Sequence, residues 1–355
     1  MKRLLFIIIS IVILQSCGDD MPKPVPVYEP TPVTLEMPEV FKDRILPPII
    51  PVDNPLTEEG IALGKKLFYD PILSGDGSQA CAACHNQANA FAENRRFSIG
   101  IDRKEGTRNA MPLFNLAYNY KEKFFWDGRA FDIENQAEGP VENPIEMHNT
   151  WDKAVESLSK SDVYPDLFRK AFGTDKITKE LTVKAIAQFE RTMISANSKF
   201  DRFLLGKEDL TFDERIGYQI FLSEDKGDCF HCHGSIDNPL WTDNSFHNNG
   251  MDSVFTDIGL EEVTGNPADR GRFKTPSLRN LKFSAPYMHD GRFATLDEVI
   301  EHYSEGLVFS PSIDPLMKSA YKGGVHLSET EKRQLKAFLL SLSDDSFITN
   351  AEYSR

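Results

Sequence analysis

Two five-residue stretches, Cys81-Ala82-Ala83-Cys84-His85 and Cys229-Phe230-His231-Cys232-His233, constrain this chain more than anything else in it. In each, two thiols stand three positions apart and a histidine follows at once, the spacing that attaches a c-type haem. On one helical turn both sulfurs meet the porphyrin edge, where they can bond its vinyl groups, while the adjacent imidazole reaches the iron as proximal ligand. A zinc site would need its two Cys pairs close together in sequence, and here about 145 residues separate them.

The remaining cysteine, Cys17, is the fifth and last, so no pair is left over for a disulfide. A length of 355 residues with 40% hydrophobic and 26% charged content allows two domains with cores of their own. The formal charge of −14 argues against a nucleic-acid partner, since phosphate binding needs a basic face, and it suits a basic or neutral electron donor as well as plain solubility. Met1-Lys2-Arg3 followed by the apolar run Leu4 to Leu14 reads as a signal peptide, with a core of about eleven residues that is too short to span a bilayer. It ends in Leu14-Gln15-Ser16-Cys17, which resembles a bacterial lipoprotein box with Cys17 as the lipidated residue; an ordinary cleavable signal with a stray cysteine is the other reading. Residues 1–17 are thus read as signal and lipobox, and 18–52, rich in proline, as an extended tether between membrane and enzyme.

Past the tether the chain repeats. Leu56-Thr57 leads through Gly64 and Leu67-Phe68 to the first motif, as Leu210-Thr211 leads through Gly217 and Ile220-Phe221 to the second. Thr57 is a plausible N-cap, and Thr211 with Glu214 makes a capping box ahead of an amphipathic run. Downstream, Thr107-Arg108-Asn109 and Trp126-Asp127-Gly128-Arg129 parallel Leu278-Arg279-Asn280 and His289-Asp290-Gly291-Arg292. Further helices are expected over Lys179 to Ser195 and from Ser328, capped with Glu331, to Leu342, and strand-like alternation is scarce. The fold class expected is mainly α: two cytochrome c-like helical domains, 53–205 and 206–345, each wrapped on one covalent haem, with a boundary near Gly206.

These residues carry a resemblance to the bacterial di-haem cytochrome c peroxidase family, over roughly Asp53 to Leu342. Besides both haem motifs it rests on Phe125-Trp126-Asp127-Gly128-Arg129, on Gln136, Pro140 and Glu146-Met147, and on Thr275-Pro276-Ser277-Leu278-Arg279-Asn280 running on to Ala285-Pro286-Tyr287-Met288-His289-Asp290-Gly291. The resemblance implies that the N-terminal haem reacts with hydrogen peroxide and the C-terminal haem relays electrons from an external donor, a small cytochrome c or a cupredoxin. It makes Glu146 the distal acid–base carboxylate, with Gln136 and Pro140 shaping the same pocket; on spacing alone Glu146 would be an exposed loop carboxylate. It makes Trp126 the relay between haems, where the residues alone suggest a buried core indole. It also implies a calcium ion between the domains, bound by the Asn109 side chain and the carbonyls of Ser284 and Pro286.

Two departures narrow the resemblance. No histidine lies between His85 and His148, so the residue that in many relatives caps the peroxidatic iron is missing; the first iron is expected to be open in the ferric state, and His148 to have a structural role. Fourteen positions after His289, where most of these peroxidases place an axial methionine, stands Tyr303, as in MauG-type enzymes. His302 competes as second-haem ligand, and Met288 is expected in the core. His231 is expected to face solvent, and His247 and His326 carry no readable signal. The expectation is an exported peroxidase of the periplasm or cell envelope of a Gram-negative bacterium, tethered through lipid on Cys17. Its alternatives are a MauG-like enzyme that oxidises side chains of a partner protein, or a non-catalytic di-haem electron-transfer protein.

Overall fold

The repeat has its physical origin in two helix crossings. The structure, a computed structural model, describes residues 28–355, so Cys17, the signal and the start of the tether lie outside the described residues. Helices α1 (Glu58–Tyr69), α2 (Ile133–Glu142), α3 (Trp151–Lys160), α4 (Tyr164–Phe172) and α5 (Lys179–Thr192) build the first half. Then α6 (Lys199–Leu204), α7 (Phe212–Leu222), α8 (Leu296–Glu305) and α9 (Glu329–Ser341) build the second. Strand among the described residues is limited to an antiparallel pair, β1 (Phe246–His247) on β2 (Phe273–Lys274). No helix among them is long and apolar enough to cross a membrane.

In the first half α1 crosses α5, and in the second α7 crosses α9. A Cβ at Gly64 would stand 1.8 Å from the Ala185 carbonyl oxygen and 3.0 Å from Phe189 Cβ; at Gly217 it would stand 1.9 Å from the Gln334 carbonyl oxygen and 2.9 Å from Phe338 Cβ. The two glycines that align in the sequence therefore do the same thing, letting one helix lie directly on the backbone of another. Around the second crossing Phe200, Phe221, Trp241 and Phe338 pack with ring centroids 5.1 to 5.7 Å apart. Phe68, Phe91 and Phe189 do likewise around the first. The expected caps are present: Thr57 accepts from Gly60, and Thr211 with Glu214 and Ser328 with Glu331 form reciprocal capping boxes.

Three features depart from the sequence reading. The stretch expected as an extended tether is packed from Tyr28 onward: Val33 N–H donates to Leu56 O, Glu58 N–H to Thr31 O, and Phe41 is fully buried edge-on to Tyr118. Proline sets an extended backbone there, but Val40 and Phe41 supply enough apolar surface to bind it to the body. Phe200, which lies ahead of Gly206, sits in the second core, and its neighbour Asp201 pairs with Arg279 through two hydrogen bonds of 2.7 and 2.6 Å, both side chains being fully buried. Removing one partner from such a pair costs roughly 3–5 kcal/mol. Finally, the chain beyond α9 returns to the first half, where Phe347 and Tyr353 join Phe91, Phe114 and Phe189 in one apolar cluster.

Gly217→Ala tests the crossing. At an uncrowded helix position the change would stabilise by about 0.5–1 kcal/mol; here it should destabilise by roughly 1–3 kcal/mol through overpacking, read as a lower denaturant midpoint, and Gly64→Ala should behave alike.

Candidate haem sites

The first motif forms a single helical turn, Cys81–Cys84, whose next residue is His85. His85 Nδ1–H donates to the Phe91 carbonyl oxygen at 2.8 Å, which fixes the tautomer and leaves Nε2 with its lone pair outward. Burial holds the imidazole below its ordinary pKa, hence neutral, as a metal ligand must be. Burial also pushes the Cys81 thiol up to about 12 and Cys84 up to about 11. Two half-buried cysteines without a disulfide partner, beside an imidazole already braced at its far nitrogen, fit a covalently held haem. Cys84 and His85 open onto a cavity of about 1290 Å³, large even for a cofactor site. The acceptor Phe91 and its neighbour Ala90 have φ of 58° and 53°, left-handed values that cost non-glycine residues about 1–3 kcal/mol each and persist only where packing enforces them.

Across the cavity stand Gln136, Pro140, Asn143 and Glu146. Gln136 and Pro140 share a face of α2 at i, i+4, and the turn that follows is folded back by Met147 N–H donating to Pro140 O and His148 N–H to Asn143 O. Two loops clamp it: Gly75 N–H donates to Met147 O, and Ile101 N–H to Glu146 O. Gly100 admits the second clamp, since a Cβ there would lie 2.2 Å from the Ile145 carbonyl oxygen. Glu146 Oε1 accepts from Asn143 Nδ2 at 2.6 Å. Burial raises the Glu146 pKa, against the opposing pull of the Asn143 hydrogen bond and the Arg129 charge. His148 points away: its ring pairs with Asp102 at 2.8 Å, its side chain is 49% exposed, and it does not line the cavity.

The halves meet at Trp126. Its indole N–H donates to the Asn109 carbonyl at 2.8 Å, its own carbonyl accepts from Lys274 N–H, and Asn109 N–H donates to His289 O. Asn109 Nδ2 donates to Arg95 O, and His289, which accepts from the Asn109 N–H, follows Ser284 and Pro286 closely in the chain. Arg108 reaches across with a bidentate pair to Asp257 at 2.7 and 2.8 Å, adding Glu262 and Asp127. Lys274, buried beside Asn244, is held down to about 8 by burial, and His289 lies flat on Phe273 with centroids 3.6 Å apart. Sequence reading aligned Arg108 and His289 within the repeats without giving them a partner, and it passed over Lys274.

At the second motif the Cys229, Cys232 and His233 spacing recurs, with Cys229 pushed up to about 12 and His233 held down to about 4 by burial, but here the histidine Nδ1 is buried and without a partner among the described residues, unlike that of His85. The candidates on α8 diverge. Tyr303 turns towards the motif: Asn249 Nδ2 donates to its oxygen at 3.0 Å, and burial raises its pKa to about 12 with the Cys232 and Cys229 thiols adding to the rise. His302 turns towards Phe293, Arg292 and Asp252, its Nε2 buried without a partner among the described residues. The Met288 sulfur accepts from the same Asn249 amide at 3.7 Å. His247, unread in the sequence, is clamped between Asp314 at 2.6 Å and Asp243 at 2.9 Å. Burial would lower its pKa, but the hydrogen bond to Asp243, with Cys232 and Asp314, raises it to about 11. Asp243 N–H also braces the motif by donating to Cys232 O.

Comparison with known proteins places this architecture. The family described as di-haem cytochrome c peroxidase matches residues 58–209. The chain is 39% identical over 306 residues to the methylamine utilization protein MauG of Methylorubrum extorquens, covering 82% of this chain and 80% of that protein. It is 39% identical over 262 residues to the cytochrome c551 peroxidase of Nitrosomonas europaea, covering 72% and 76%. A crystal structure of a MauG-like protein associated with microbial copper homeostasis superposes with a TM-score of 0.82 at 32% identity, over 91% of this chain and 99% of that one. The chain belongs to the di-haem cytochrome c peroxidase family, and with it to the oxidoreductases that carry two haems c.

Proposed function

We propose that the chain reduces hydrogen peroxide to water at the His85 haem, using two electrons from an external donor that enter through the His233 haem. The observation that carries this reading is the half-buried carboxyl of Glu146, which lines the same cavity as His85 and is fixed by Asn143 and the clamped turn. When bound, the haem supplies an iron that coordinates peroxide and accepts its oxidising equivalents. With peroxide there, Glu146 would accept a proton from the oxygen nearer the haem and give it to the leaving oxygen, which would depart as water. Burial raises the pKa of Glu146, so the carboxyl can hold that proton between the two transfers. Gln136 and Pro140 shape the pocket wall beside it. Trp126, hydrogen-bonded at the junction of the halves, carries the second oxidising equivalent towards the His233 side. Calcium at the Asn109 side chain and the Ser284 and Pro286 carbonyls ties the halves together.

The donor is a small cytochrome c or a cupredoxin, and the enzyme works in the periplasm or cell envelope of a Gram-negative bacterium, anchored by lipid on Cys17. A second reading, that the oxidising power is spent on side chains of a partner protein, is favoured by the MauG-like resemblance that Tyr303 carries. In both readings Tyr303 would hold the second haem iron, and its oxygen, deprotonated on binding the metal, would depress that haem's potential.

Glu146→Gln is nearly isosteric but cannot move the proton. It should keep both haems and lose turnover by about a hundredfold or more in steady-state peroxide assays. In the wild type, the acid limb of the kcat/KM profile should lie above the ordinary glutamate range, because the raised pKa means that the base form is lost at a higher pH, and the variant should lack that limb. Wild-type turnover in Glu146→Gln removes the residue from the mechanism. For the second haem, Tyr303→Met should raise its potential while His302→Ala leaves its spectrum nearly unchanged; the opposite pair of results assigns the ligand to His302.

A further inference from the structure

The cluster that surrounds Phe91 joins parts of the chain that are far apart in sequence. Phe91 supplies the carbonyl that accepts the His85 Nδ1 proton, and it does so in a left-handed backbone conformation. Its ring is enclosed by Phe68 on α1 and by two residues of the C-terminal tail, Phe347 at 5.6 Å and Tyr353 at 6.2 Å between centroids, both edge-on. The tail is fastened at both ends. Asp344 accepts from Ala196 N–H at 3.1 Å and Asn197 N–H at 2.9 Å, and its own N–H donates to Asn280 Oδ1 in the second half. At the far end Tyr353 Oη donates to the Thr192 carbonyl at 2.8 Å and accepts from Ile194 N–H at 3.2 Å, while Tyr69 Oη donates to the Tyr353 carbonyl. Gln87, on the loop between His85 and Phe91, donates to the Asn350 carbonyl at 2.8 Å.

We propose that Phe347 and Tyr353 are positioning residues for the proximal ligand: the tail holds Phe91 in its strained conformation, and so fixes the length and angle of the hydrogen bond on His85. A firm hydrogen bond at Nδ1 gives the imidazole more anionic character, strengthens its bond to iron and favours the ferric state. Because the tail is anchored on Asn280, the second half of the chain bears on the proximal ligand of the first haem through packing alone, with no contact to the iron. The proposal rests on the reading that His85 ligates a haem, and it is independent of what that haem then does.

The test compares full-length holoprotein carrying Phe347→Ala or Tyr353→Phe with the wild type and with Leu158→Ala, a core change in another apolar cluster of the first half, one that does not include Phe91. The iron–histidine stretching band of the reduced His85 haem is recorded by resonance Raman, and both midpoint potentials by spectroelectrochemistry. We expect Phe347→Ala to lower the band frequency and raise the potential of the His85 haem, Tyr353→Phe to do so less because its ring remains, and neither to move the second haem. Leu158→Ala should lose stability with both readouts unmoved. Should Phe347→Ala lose its haem, Phe347→Leu and Tyr353→Phe carry the same comparison. Variants that lose stability like Leu158→Ala while band and potential stay at wild-type values overturn the proposal and leave the tail a structural strap. A wild type whose reduced His85 haem shows no such band contradicts the open-iron reading instead, and the potentials still decide the role of the tail.

Discussion

Each half of this molecule depends on one helix lying against the backbone of another. At Gly64 and at Gly217 the approach leaves no room for a single methyl group. That contact brings the aromatic rings of α1 and α5, and of α7 and α9, into one layer, and the chain that leaves each first helix runs directly into a Cys–Cys–His turn. A flat apolar cofactor needs a wall that does not yield, because attachment at two thiols fixes its edge while the protein must fix its tilt. Crossed helices in backbone contact provide such a wall with little side-chain freedom to lose. The duplication in the sequence is the trace of this requirement met twice.

What distinguishes the halves is how the far side of each site is built. In the first, the turn after α2 is clamped from two loops and presents a carboxyl, Glu146, whose burial raises its pKa. In the second, α8 presents Tyr303, which an Asn249 amide meets at its oxygen. Under the function proposed above, the first side would exchange protons and the second would supply an oxygen donor. Between them Arg108, Trp126 and Asn109 form a hydrogen-bonded junction of the two halves.

Much of this was legible in sequence where the signal is local. The Cys–Cys–His spacing, the threonine and serine caps, and the paired glycines each lie within a few residues of what they determine. Glu146 was legible only through family resemblance, since a carboxylate in an Asn-Pro turn carries no mark of its surroundings. The rest depends on contacts between distant residues. His247 meets one partner four residues away and another 67 residues away. The tail residue Tyr353 meets Thr192 across 161 positions, and Phe41 was hidden among prolines that dominated the reading of its stretch. Apolar residues outside a helical period give no indication of which core they will join.

The central claim is that the His85 site is open on the side of Glu146, with no histidine poised to close it, since His148 is held outward by Asp102. Electron paramagnetic resonance of the fully oxidised protein, before and after one equivalent of peroxide and without prior reduction, tests this most directly. The account predicts a high-spin ferric signal from the His85 haem beside a low-spin signal from the second, and prompt loss of the high-spin signal on adding peroxide. Two low-spin signals, with reaction only after one electron has been supplied, would contradict it.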